Sequence, residues 1–308
     1  MKIIRRYNQL DKDIQRGFAL GNFDGVHIGH QKLIKTLVQG CKLKNLEPCI
    51  YTFVNHTLET ITGKEIPPQI TNMCTKQKIF ESLGIELLYL ERFNENLMSL
   101  SPEEFVKDIL IDKLNCKIVA VGFDYSFGYK GQGNADTLRE MAKVYGFEAH
   151  IIQPVTVNSK KVGSSIIREY IRNGNIEEAN IFLGRPYSIC SKVIRGKGIG
   201  GDRLGYPTAN ISIESCSLIP KEGIYATFVK INDSIYKGAA CVGTSPTFGN
   251  YDIGMEVFII GFNGDIYDRF IEIQFVKKLR DQIKFDSIDN LINQIERDVN
   301  SVNTYLHL

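Results

Sequence analysis

Strand and helix signals alternate along the chain as far as Gly184-Arg185-Pro186, and beyond that point they stop alternating. No other feature restricts the fold as much. In the first part Gly17–Leu20, Cys49–Phe53, Ile85–Leu90, Ile118–Val121 and Phe147–Ile152 read as strands. Helical stretches lie between them, one opened by the capping box Ser101-Pro102-Glu103-Glu104, another running over about Ala135–Tyr145 with Gly146 as its C-cap. Strands that alternate with helices predict a parallel, doubly wound α/β sheet. In the second part the β-branched and aromatic runs Ser188–Ile194, Tyr225–Ile231, Ile235–Val242, Met255–Phe262 and Phe270–Val276 follow without helices between them. Asn232-Asp233-Ser234 and Asn263-Gly264-Asp265 read as hairpin turns, so an antiparallel barrel is expected. One amphipathic helix, from about Ser287 with Leu291, Ile292, Ile295 and Val299 on one side, ends the chain. With 308 residues there is enough chain for two cores, and the expected domains are residues 1–184 and 185–308.

Composition narrows the function. A hydrophobic fraction of 43% with 23% charged residues is that of a soluble globular protein. A formal net charge of +2 gives no sign of bulk nucleic-acid binding, so any phosphate recognition is expected to be local. Met1–Tyr7 has no apolar core of a leader, and no apolar run approaches membrane-spanning length. The seven cysteines are scattered, with no Cys-x-x-Cys pair, and read as reduced, mostly core residues. A cytoplasmic protein without membrane or nucleic-acid partners is expected.

Chemistry concentrates in a few segments. Gly21–His30 follows a strand and opens a helix. A glycine-rich turn at that place lets backbone N–H groups approach a phosphate, with the helix dipole favouring the charge. His27 and His30, three residues apart, lie on one face and can donate to phosphate oxygens. An ordinary turn with surface histidines is the alternative. Ser164 and Ser165 open a helix with Arg168 one turn later, a set suited to polyphosphate or to a plain N-cap. Gly122–Gly128 ends a strand with glycines and aromatics that could shape a flat pocket, or only a tight loop. In the second part Arg195–Gly205, including Gly196 and Gly198, is a basic glycine-rich loop that could close over phosphates. It runs into Pro207-Thr208-Ala209-Asn210, where Thr208 and Asn210 point the same way on an extended chain and offer hard oxygen ligands for magnesium. Glu256 stands among apolar strand residues, where a charge is paired, functional or turned outward.

Taken in this order, these segments resemble the bacterial bifunctional riboflavin kinase/FMN adenylyltransferase family, also called prokaryotic FAD synthetase. The resemblance covers essentially the whole chain. It rests on Gly21–His30, Gly122–Gly128 and Ser164–Arg168, then on Gly184–Ile194, Pro207–Asn210, Gly223-Ile224-Tyr225, Gly243–Phe248, Glu256, Tyr267 and Leu279–Phe285. It implies a Rossmann-like nucleotidyltransferase domain followed by a six-stranded kinase barrel. It implies that riboflavin is phosphorylated to FMN and FMN adenylylated to FAD, with ATP as co-substrate and magnesium as cofactor. By position it assigns His27 and His30 to the ATP phosphates, with Asn22 lining the turn. Ser164, Ser165 and Arg168 would hold pyrophosphate, and Asp124 would lie near flavin or nucleotide. In the kinase, Thr208 and Asn210 would bind magnesium and phosphate, Glu256 would be the general base, and Arg280 would lie near the flavin. Departures from the family pattern are Gly163 and Ile166 beside the serine pair, Val54-Asn55-His56-Thr57 after the second strand, and Ser126. They leave two alternatives open: a kinase whose adenylyltransferase half has drifted, and a flavin-sensing regulator without turnover.

Overall fold

The computed structural model describes residues 1–55, 67–196, 205–213, 217–245 and 250–307. The chain divides into two compact units, Met1–Pro67 with Met73–Gly163, and Pro68–Asn72 with Ser164–Leu308.

The first unit is built on a six-stranded sheet in the order β1-β4-β3-β2-β5-β6. The strands are β1 (Lys2–Ile4), β2 (Arg16–Leu20), β3 (Glu47–Phe53), β4 (Leu87–Glu91), β5 (Cys116–Gly122) and β6 (Glu148–Ile152). Every neighbouring pair is parallel. Its helices include α1 (Ile28–Lys44), α2 (Met73–Ser82), α3 (Glu95–Ser99), α4 (Pro102–Glu104, continued by a π-helix over Phe105–Lys113) and α5 (Ala135–Tyr145). A small hairpin of β7 (Thr156–Val157) and β8 (Lys160–Lys161) follows.

Strand alternation sorts the core into two layers. Phe18, Leu20, Val119 and Val121 pack with Phe105, Val106, Leu110 and Leu138 on one side. Ala19, Ile118 and Ala120 pack with Leu33, Ile34, Leu37 and Phe80 on the other. Both faces are covered, which is why the strands carry near-continuous apolar runs. Ser101 caps α4 in a reciprocal box with Glu104, and Gly146 closes α5 in the left-handed region, as their sequences require. From β2 the chain winds one way through β3 and β4, then returns to place β5 on the opposite side of β2. The topological switch point therefore lies beyond the carboxyl ends of β2 and β5, where open α/β sheets bind ligands.

The second unit begins with α6 (Ser164–Asn173) and α7 (Ile176–Leu183). A closed barrel follows in the order β10-β13-β12-β11-β14-β9. Its strands are β9 (Tyr187–Ile194), β10 (Thr208–Ile211), β11 (Gly223–Ile231), β12 (Ser234–Ser245), β13 (Asn250–Ile259) and β14 (Phe270–Arg280), and all pairings are antiparallel. Helix α8 (Ile288–Tyr305), capped by Ser287, lays Val302 and Leu306 against a cluster with Ala226, Phe228 and Ala239.

Two expectations need correction. Asn232-Asp233 is a tight hairpin loop, with Ile231 opposite Ser234. Asn263-Gly264-Asp265 is not a hairpin turn, because β13 pairs with β10 and β12 while β14 pairs with β11 and β9. Turn-forming residues favour a reversal but do not choose the partner strand. Closing the barrel requires this connection to cross over. In addition, Thr208–Ile211, read only as an extended chain, is a full barrel strand.

Candidate functional site

In the first unit the turn between β2 and α1 is held in an uncommon backbone conformation. Phe23, Gly25 and Val26 all have positive φ, of 49°, 83° and 38°. For Phe and β-branched Val such conformations cost on the order of 1–3 kcal/mol each and persist only where the surroundings impose them. The surroundings do so here. Gln31 Nε2 donates to the Val26 carbonyl at 2.9 Å, and Lys76 Nζ donates to the Asn22 carbonyl at 2.9 Å. Phe23 is wedged edge-on between Phe80, 5.6 Å away, and His30, 5.2 Å away.

The two histidines meet. Their rings stack at 3.6 Å with 16° between planes. His27 is the N-cap of α1, its Nδ1 accepting the backbone N–H of His30 at 3.3 Å. With Nδ1 an acceptor, the ring proton of His27 resides on Nε2. Gly29 gives the ring room, since a Cβ there would stand a tight 3.1 Å from His27 Nδ1. Asn22 is exposed at the start of the turn. Asp124 sits just past β5, at the same carboxyl edge. It is paired with Lys161 Nζ at 3.2 Å, and that ammonium also lies 4.0 Å over the Phe123 ring. Tyr125 and Phe127 stack on each other and pack toward Phe105 in the core.

In the second unit Ser164 and Ser165 open α6, and Arg168 Nε donates to the Pro68 carbonyl at 3.0 Å. A Cβ on Gly163 would meet nothing within 4 Å, so the departure there is not imposed by packing.

The barrel gathers the other candidates on one face. Register sets Asn210 opposite Glu256, and Glu256 opposite Cys241. These side chains alternate with the buried Ala209, Met255, Val257, Ala240 and Val242, so they lie on the opposite face from the barrel interior. Thr208 Oγ1 donates to Glu256 Oε2 at 3.0 Å. Gly196 lies so close beneath Asn210 that a Cβ would fall 2.1 Å from its Nδ2. Gly198 lies outside the described residues, as do His56 and Thr57. The Cys241 thiol is pushed up to about 11, first by burial and then by the charge of Glu256. It accepts from Gln282 Nε2 at 3.3 Å. Tyr206 packs edge-on against Phe258 at 5.2 Å. Its hydroxyl is shifted upward by partial desolvation and the nearby Glu296.

Arg280 ends β14 with its guanidinium committed to α8. Nε and Nη2 donate to Asp298 at 3.0 and 2.7 Å, and Gln294 also donates to that carboxylate. Two hard oxygen donors, Thr208 Oγ1 and the Asn210 amide oxygen, thus stand on one face of β10 beside Glu256. That set fits magnesium, which keeps waters and substrate phosphates as most of its ligands. Among the described residues no group of three or more His, Cys, Asp or Glu could form an all-protein cage.

Sequence reasoning missed Lys76, Lys161, Cys241 and Gln282. Each joins its site through contacts distant in sequence, and none stands in a local pattern that marks it.

Comparison with known proteins agrees with this division. The FAD synthetase family model matches residues 11–166, and the riboflavin kinase family model matches residues 183–306. The bifunctional riboflavin kinase/FMN adenylyltransferase of Buchnera aphidicola subsp. Schizaphis graminum is 36% identical over 100% of both chains. The Bacillus subtilis protein of the same name is 37% identical over 91% of this chain and 89% of its own. A crystal structure from Streptococcus pneumoniae, described as a macrolide-efflux protein, matches with a TM-score of 0.87 and 30% identity over 98% of each chain. Among the described residues here, no helix is long and apolar enough to cross a membrane. Two family models in tandem, and relatives 36–37% identical over 89–100% of their length, settle the kinship: the chain belongs to the bifunctional riboflavin kinase/FMN adenylyltransferase family.

Proposed function

We propose that the chain converts riboflavin to FAD in two ATP-dependent steps, with the residues assigned as follows. In the barrel, Glu256 takes the proton of the ribityl 5′-hydroxyl as its oxygen attacks the γ-phosphorus of ATP, giving FMN and ADP. The Thr208 hydroxyl orients the carboxylate through its 3.0 Å hydrogen bond. Thr208 and Asn210 would hold magnesium, which supplies charge neutralisation at the phosphates. Gly196 and Gly198 are assigned to the nucleotide phosphates. Arg280 aligns the flavin side of the pocket, its plane set by Asp298.

In the second step an FMN phosphate oxygen attacks the α-phosphorus of another ATP and pyrophosphate leaves. No protein nucleophile is needed, because the attacking phosphate is already anionic. His27 through Nε2, His30 and Arg168 stabilise the charge that builds on the α-phosphate and leaving group. Asn22, Ser164 and Ser165 complete the phosphate contacts, and Asp124 borders the flavin or nucleotide. The functional boundary is placed between Gly184 and Arg185. The substrates are small molecules, no nucleic-acid or membrane partner is assigned, and the enzyme is placed in the cytoplasm.

The observation that carries this reading is the occurrence of both family models in one chain, in order, with the stacked His27–His30 pair in one and the Thr208–Glu256 pair in the other. Incubating the purified protein with riboflavin, ATP and magnesium and separating flavins by chromatography tests it. FMN followed by FAD is expected. FMN alone would leave only the kinase, and bound flavin without either product would leave a sensor.

A further inference from the structure

Helix α2 supports the histidine turn with two side chains four residues apart, Lys76 and Phe80, which the helical repeat sets on one face. Phe80 is fully buried and meets the Phe23 ring edge-on. Lys76 is only 8% exposed, and its Nζ donates to the Asn22 carbonyl at 2.9 Å. Lysine is seldom buried to this degree, because its ammonium loses hydration that neutral donors do not need. A serine or asparagine could not span from the α2 backbone to the turn, whereas the four-carbon stem of lysine can. The contact falls directly before Phe23, the first of the positive-φ residues in this turn. Phe23 in turn touches His30, and His30 stacks on His27. An unbroken series of contacts therefore runs from α2 to both imidazoles.

We propose that Lys76 is a positioning residue for adenylyl transfer: by holding the Asn22 carbonyl it fixes the turn that places His27 and His30 against the nucleotide phosphates. The proposal rests on the reading above that these histidines serve the FAD-forming step. Lys76 acts through them, so its loss should appear in turnover more than in ATP affinity. Displacing a catalytic group by about an ångström costs on the order of a hundredfold, so a loss of about 10- to 100-fold is expected.

The test uses the full-length protein, with FAD formation from supplied FMN and FMN formation from riboflavin measured on each preparation. The variants are Lys76→Met, Lys76→Arg, His30→Ala and Lys76→Met combined with His30→Ala. Lys76→Met should lower kcat for FAD formation about 10- to 100-fold, change KM for ATP less than threefold and leave FMN formation within twofold. Lys76→Arg, which keeps the charge and a donor, should recover part of the loss. The decisive comparison is the double variant. If Lys76 acts through the histidine turn, the double variant loses little beyond His30→Ala alone, since coupled groups are not additive. Losses that multiply would overturn the proposal and leave Lys76 a general stabiliser of the unit. Undiminished FAD formation by Lys76→Met would overturn it as well. If His30→Ala is itself unimpaired, the assignment of the histidines fails, an outcome distinct from failure at Lys76 alone. Should Lys76→Met not fold, Lys76→Arg carries the same cycle with His30→Ala, and multiplying losses again overturn the proposal.

Discussion

Replacing Glu256 by glutamine separates chemistry from architecture in the barrel. The side chain accepts a 3.0 Å hydrogen bond from Thr208 and stands opposite Asn210 and Cys241 in the ladder. Glutamine retains the length and an oxygen that can accept from Thr208, so the net cost in stability should stay below about 1 kcal/mol. It cannot accept the hydroxyl proton. General-base catalysis contributes roughly a hundred- to ten-thousandfold, which corresponds to about 2.7–5.5 kcal/mol of transition-state stabilisation. Initial rates of FMN formation at saturating ATP and magnesium should fall by that factor. FAD formation from supplied FMN, measured on the same preparation, should be unchanged. A second signal comes from Cys241, whose thiol the carboxylate helps to raise to about 11. Neutralising position 256 should lower that pKa and quicken alkylation of Cys241 at mildly alkaline pH, with burial still holding it above that of a free thiol. A Glu256→Gln enzyme that phosphorylates riboflavin at near native rate would refute the base assignment. A thermal midpoint several degrees lower, with unchanged turnover, would show the carboxylate to be structural.

Further outcomes follow from the same geometry. His27→Ala or His30→Ala should reduce FAD formation on the order of a hundredfold and leave FMN formation intact, as read by flavin chromatography; a loss below twofold in both would remove the pair from the mechanism. Gly196→Ala would set a Cβ 2.1 Å from Asn210 Nδ2 and so displace the amide; if that amide holds magnesium as proposed, magnesium titration of kinase activity should show the half-saturating concentration raised at least about tenfold. Asp298→Ala leaves Arg280 without the carboxylate that holds its Nε and Nη2. Breaking a buried pair costs about 3–5 kcal/mol, and with Arg280 about one-fifth exposed the lower end applies. The melting transition of the barrel should drop by about 6–12 °C, and a drop under 2 °C would show the pair to be dispensable.

What could be read from the sequence depended on whether the information was local. His27 and His30 share one helical turn, and the Gly29 between them leaves the His27 ring room, so the motif carries its own geometry. The capping box at Ser101, the C-cap at Gly146 and the N-cap at Ser287 are equally self-contained. Glu256 differs. Its place in an apolar run of sequence fits a base, a pair or an outward charge equally well, and only the register that sets β13 between β10 and β12 brings it to Thr208, Asn210 and Cys241. The misread Asn263-Gly264-Asp265 turn has the same origin, since turn chemistry says that a chain reverses but not which strand receives it.

The histidine turn shows the limit from the other side. Its sequence signals a phosphate turn, yet Phe23 and Val26 adopt backbone conformations that their own side chains disfavour. Local preference is overruled there partly by a nearby contact, from Gln31 within α1, and partly by contacts that no short window of sequence contains, from Lys76 and Phe80 on α2. A bulky aromatic and a β-branched residue held at positive φ in one turn mark a place where the fold spends stability to hold a geometry. That geometry is the stacked imidazole pair at the switch point of the sheet. The strain at the turn and the phosphate chemistry assigned to it are therefore one problem, and relaxing the turn should cost the FAD-forming step before it costs the fold.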